Sequence, residues 1–155
     1  MTVLGLPLHP LIVHATVVAV PAAALAVLLT AVWPRLRAWF AWGPVALAVV
    51  ALVLVPITTS SGESLEHALP HDALIEKHAE LADGLLPWMI VLLVGAIGVC
   101  WPALSRVVTR LPVLPRGVVL AMTVIAVVGA LGALVEVVLI GHSGASAAWA
   151  GTASS

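Results

Sequence analysis

Apolar residues run through this chain in four long blocks, and the polar residues collect between them. A helix needs about 20 apolar residues to cross about 30 Å of hydrocarbon. Blocks near 11–32, 39–58, 85–104 and 118–140 satisfy that length, and none carries an interior Lys or Arg. They are rich in Ala, Val and Leu and show no strict alternation, so the pattern predicts helices rather than barrel strands. The expectation is an all-α integral membrane four-helix bundle over residues 1–144, followed by a flexible polar tail over 145–155.

Composition narrows the class. Of 155 residues, 63% are hydrophobic and 8% charged, which leaves too little polar surface for a free water-soluble globule. Disorder is excluded by the same numbers. A net charge of −1 gives no basic field for nucleic acid. The single cysteine, Cys100, excludes an intrachain disulfide and a Cys-rich metal cluster. Residues 1–8 lack Lys and Arg and the first block is long, so it reads as a retained helix rather than a cleaved signal.

Charge then sets a direction. Arg35 and Arg37 lie between the first two blocks, and Arg106, Arg110 and Arg116 between the last two. Between the second and third, Lys77 stands alone among Glu63, Glu66, Asp72, Glu76, Glu80 and Asp83. Basic loops stay cytoplasmic, so both termini and the acidic loop are expected outside. Trp33, Trp39, Trp42 and Trp101 then fall near the inner interface and Trp88 near the outer one. Most prolines fall near expected helix ends. Pro21 lies inside the first helix and is expected to kink it. No fixed-period repeat is visible.

The rare polar residues sort with the acidic loop. All six histidines (His9, His14, His67, His71, His78 and His142) map to the outer side. Residues 71–82 read HDALIEKHAELA, with His71, Leu74, Ile75, His78, Leu81 and Ala82 on one helical face and acids on another. This predicts a short amphipathic outer-loop helix between helices 2 and 3. His14 and Glu136 lie at membrane depth, where an ionisable group is a functional candidate by default. A structural hydrogen-bonded pair is the alternative. Thr58, Thr59, Ser60, Ser61, Gly62, Glu63, Ser143 and Ser146 read most simply as caps and turns. Gly129, Gly132 and Ala133 read as a close-packing patch, or as room for a flat cofactor.

No Walker loop, GxSxG, CxxC or HExxH is present. His9 and His14 are five residues apart, about 140° around a helix, so any site must draw on several helices. Two chemistries fit. One is a b-type haem held by two histidines. The other is a hydrated divalent metal or proton site of His and Glu at the outer mouth.

The segment Gly5-Leu-Pro-Leu-His-Pro-Leu-Ile-Val-His14, the Ser61-Gly62 turn, His78, and Ile140-Gly-His-Ser-Gly-Ala-Ser-Ala-Ala-Trp149 together resemble a bacterial membrane family. It is catalogued as domain of unknown function 2231, and the resemblance covers nearly the whole chain. It implies four spans and a redox role, since some members look fused to a Rieske iron–sulfur domain. This chain has Ala15-Thr16 where the family pattern has Phe-Pro, and it lacks the Rieske Cys/His motif. By resemblance, His9, His14, His78 and His142 carry the site.

The expected function is therefore a redox or haem-binding subunit of the bacterial cytoplasmic membrane, not an enzyme on its own. His14 and His78 are the first ligand pair, with His9 and His142 next. Partners are the lipid bilayer and a quinol or a separate outer-side redox protein, with oligomerisation left open and no nucleic acid. The alternatives are metal-ion or proton transport or sensing through His14, His78, His142 and Glu136, or a non-catalytic assembly subunit. His71 and Glu63 are accessory positions.

Overall fold

A computed structural model of the chain describes residues 2–3, 6–40, 42–108 and 111–149. Two short strands, β1 (Thr2–Val3) and β2 (Leu6–Pro7), pair antiparallel ahead of the helices. The helices are α1 (Leu8–Val32), α2 (Pro34–Phe40), α3 (Gly43–Glu66), α4 (Ala73–Val107) and α5 (Arg116–Trp149). Four of them, α1, α3, α4 and α5, are long and apolar enough to cross a membrane, as their sequence blocks require. The short α2 buries no residue.

The spanning helices form a ring. α1 packs on α3 and α5, α4 packs on the same two, and α1 meets α4 only lightly across the diagonal. The core is built from small and branched residues: Val20, Ala23, Ala24 and Val27 of α1, Ala48, Ala51 and Val55 of α3, Met89, Leu92 and Ala96 of α4, and Ala126, Ala130 and Ala133 of α5. Lipid gives helices no hydrophobic reason to associate, so close van der Waals packing has to hold them together. The α4–α5 seam shows it best. A Cβ at Gly95 would stand 2.5 Å from the Ala126 nitrogen, and one at Gly129 2.7 Å from the Leu92 nitrogen. Only glycine allows backbones that near. The patch of Gly129, Gly132 and Ala133 is thus filled by α4, including the Trp88 ring against Gly132. Trp88 packs in this seam.

At the end opposite the histidines, Arg37 closes α1. Its Nε donates to the Thr30 carbonyl and its Nη2 to the Ala31 carbonyl, both at 2.8 Å. These are orphan carbonyls of a helix C-terminus, where a cation is favoured. Trp33, Trp39 and Trp42 lie exposed around the same end.

The helices overrun the apolar blocks at the histidine-bearing end. The amphipathic segment expected over 71–82 is helical from Ala73 and continues unbroken into the third span as α4. Asp72 caps it in extended conformation, its carboxylate accepting from the Leu74 N–H at 2.8 Å. With no glycine or proline between Ala73 and Asp83, nothing in the sequence ends the helix there. Likewise α5 runs through 145–149, the start of the expected loose tail, while 150–155 lie outside the described residues, as does Arg110. Pro21, Pro56, Pro87 and Pro102 all stand inside helices. Membrane helices tolerate proline because neighbouring groups re-satisfy the freed carbonyls.

Candidate histidine centre

The caps and turns expected at 58–63 and 143–146 are helix instead. Each serine there donates its hydroxyl proton back to a carbonyl one turn earlier: Ser60 to Ile57 at 3.2 Å, Ser61 to Thr58 at 2.8 Å, Ser64 to Ser60, Ser143 to Ile140 and Ser146 to His142 at 2.9 Å. A hydroxyl satisfied in this way no longer competes with the helix.

Two of these serines also receive a histidine from another helix. His9 Nδ1 lies 3.0 Å from Ser61 Oγ, and His78 Nδ1 lies 3.0 Å from Ser143 Oγ. Both rings rest on the glycine that follows the serine. A Cβ at Gly62 would stand 3.0 Å from His9 Cε1, and one at Gly144 3.0 Å from His78 Cε1. The two arrangements match atom for atom. In each, the first helix of a pair carries the histidine in its first two turns, and the second carries Ser-Gly-x-Ser in its last two turns, read as Ser61-Gly62-Glu63-Ser64 and Ser143-Gly144-Ala145-Ser146. The chain thus carries a two-fold internal correspondence, α1–α3 with α4–α5, that no fixed period in the sequence announces.

Two tautomers are compatible with these distances. Where the single hydroxyl proton of Ser61 or Ser143 goes to the carbonyl, the serine accepts from the imidazole and Nδ1 carries the ring hydrogen. The neutral ring then leaves Nε2 with a bare lone pair. Metal-ligating histidines are oriented by the same kind of second hydrogen bond.

The two modules also sense each other. His9 precedes the apolar stretch Ile12–Val32 and is half-buried. Burial holds its imidazole below the ordinary value; the Thr58 carbonyl opposes this, and nearby His78 adds to the lowering. His9 and His78 sit on the diagonal helices α1 and α4, so the pair spans the ring.

The remaining expected positions lie elsewhere. His14 is exposed on α1. His142 is exposed beside Ser143. His71 is exposed ahead of α4, with Nε2 3.7 Å from Glu76 Oε2. Glu63 is exposed, and Glu136 is half-buried in α5, with its carboxyl against Gly84. Below His9, the Thr16 and Thr58 hydroxyls meet at 2.6 Å. Sequence reasoning missed Ser61 and Ser143 as histidine partners. The repeated Ser-Gly-x-Ser was the available signal.

The donor set tests two kinds of ligand. Structural zinc takes four protein ligands. Among the described residues, no group of three or more His, Cys, Asp or Glu side chains is set to hold an ion. A haem supplies its own equatorial nitrogens and asks the protein for axial ligands alone. Two imidazoles held through Nδ1, with Nε2 on the far side of each ring, fit that demand.

Fold and site together define a four-helix membrane protein with duplicated histidine–serine modules at one end. The chain belongs to the family described as predicted membrane protein (DUF2231), whose model matches residues 5–154. No curated protein and no solved structure matches it.

Proposed function

We propose that the protein is a redox subunit of the bacterial cytoplasmic membrane that holds a b-type haem between His9 and His78. The observation that carries this reading is the matched pair of modules, each fixing Nδ1 on a serine and leaving Nε2 for a metal. The lowering of His9 by His78 supports their proximity. His9 takes the place that the sequence pattern offered to His14. Bound haem supplies a one-electron couple. The protein's own residues fix the two rings, and the packed Ala/Val core beneath them limits water from below.

Arginine-bearing loops at the opposite end favour the histidine-bearing end on the outer side. Electrons then pass to or from a quinol or a soluble carrier on that side. With both imidazoles at one end, a single centre does not carry an electron across the whole bilayer.

The test is an absorption spectrum of protein expressed with haem supply, oxidised and dithionite-reduced. A Soret band is expected, lost in His9→Ala and in His78→Ala and retained in His14→Ala. Absence of the band in the unaltered protein overturns the reading. Its survival in the His9→Ala, His78→Ala double variant reassigns the ligands.

A further inference from the structure

At the arginine-bearing end, the α4–α5 hairpin reaches farther than the α1–α3 hairpin. The two histidine modules lie side by side, yet the helix lengths measured from them differ. From His9, 23 residues bring α1 to its end at Val32. From His78, 23 residues bring α4 only to Trp101, and the helix goes on to Val107. From Gly43 to Ser61, α3 spans 18 residues, whereas α5 spans 27 from Arg116 to Ser143. The overhang is six to nine residues, about 9–14 Å of helix. Trp101 thus stands close to the depth of Trp33 and Trp42, and indole rings favour the headgroup layer. The overhang begins at that layer.

It holds a cavity of about 160 Å³, lined by Trp101, Pro102 and Ser105 of α4, Val113 and Leu114 of the connection and Val119 of α5. The connection is tied down. Trp101 Nε1 donates to the Pro112 carbonyl at 2.9 Å, and the Leu111 N–H closes a turn on the Val108 carbonyl at 3.1 Å. Pro112 and Pro115 stiffen it further. Polarity changes across the cavity in one direction. Trp101, Pro102 and Val119 are apolar; Ser105 lies one turn farther out on α4, and Arg116 one turn farther out on α5, on the side of Val119. Val113, at the rim, is an apolar side chain 92% exposed.

Charge at this end has one sign. Segments 33–43 and 101–119 carry five arginines and no Asp or Glu. Arg37 is spent on the Thr30 and Ala31 carbonyls. Arg116 is exposed and opens α5, whose first turn contains no acidic residue. A guanidinium and the positive end of a helix dipole therefore stand beside the cavity with no carboxylate of that turn to offset them.

We propose that this cavity binds one anionic phospholipid. Its phosphate sits on the Arg116 guanidinium, and its glycerol and first acyl carbons lie against Trp101, Pro102 and Val119. The arginines select the sign of the headgroup. An apolar floor at headgroup depth selects a lipid over a soluble anion. The site lies at the end away from the histidines and does not depend on the haem reading.

The experiment is native mass spectrometry of the whole protein in a neutral detergent, with phosphatidylglycerol or phosphatidylcholine added. One phosphatidylglycerol adduct per chain is expected, held about fivefold or more above phosphatidylcholine, since one arginine near an anionic surface is worth about that factor. Arg116→Gln weakens the adduct about fivefold by the same reasoning. Val119→Phe fills the cavity and weakens it with every arginine in place. Arg35→Gln, which removes an exposed cation away from the cavity, leaves it unchanged. Equal binding of phosphatidylcholine overturns the proposal. So does an equal loss in Arg35→Gln and Arg116→Gln, which reads as a diffuse basic belt. Full displacement of the lipid by glycerol phosphate overturns it in favour of a soluble anion.

Discussion

α1 and α3 meet through alanines, valines and a threonine pair, whereas α4 and α5 meet through glycines that let the backbones touch. The same histidine–serine–glycine module nevertheless sits at the same end of both pairs. The packing differs between the pairs, since many small residues bring membrane helices together. The module is the same in both, down to which ring nitrogen meets the hydroxyl. Agreement between unlike surroundings separates what the site requires from what the bundle requires.

The largest break in that comparison is a methyl group in the glycine seam. Gly95→Ala places its Cβ on the Ala126 backbone, which has no flexible end to give way. Overpacking of this kind costs about 1–3 kcal/mol. Thermal unfolding in detergent is expected to fall accordingly. An unchanged midpoint would mean that the two pairs are held together alike.

A smaller effect sharpens the correspondence itself. Ser61→Ala and Ser143→Ala each remove one acceptor for a ring N–H, worth about 1 kcal/mol. Both are expected to weaken stability equally and to release the ring tautomer. The check is nitrogen-15 NMR of the imidazoles, which reads the proton on Nδ1 in the parent protein. A proton found on Nε2 would remove the lone pair on which the haem reading depends.

The smallest effect distinguishes the two histidines. His9 has a folded value below its ordinary 6.5, through burial first. The unfolded chain therefore binds the proton more readily, and stability rises with pH across the window below 6.5. In haem-free protein, the melting temperature is expected to drop as pH falls through that value. The drop should be smaller in His9→Gln.

Much of this architecture was legible in the sequence, because hydrophobic runs and loop charges are local signals. The four spans and the gathering of six histidines at one end follow from them. The helix ends were less legible. Serines at 60, 61, 143 and 146 are cap residues by preference, and only their back-bonds to carbonyls one turn earlier keep them helical. The histidine–serine pairs were harder still. His9 meets Ser61 across 52 residues and His78 meets Ser143 across 65, and no local periodicity encodes such partners.

Because α1 and α4 stand on the diagonal, contact within a hairpin never brings His9 toward His78. Each hairpin can close on its own residues as it enters the bilayer. The two imidazoles come near each other only when the finished hairpins dock. A ligand needing both rings therefore recognises the completed bundle and neither half, and its binding energy adds wholly to the docking step. Haem bound as proposed would make the centre a clasp, and the last step of assembly the one most strengthened by cofactor supply.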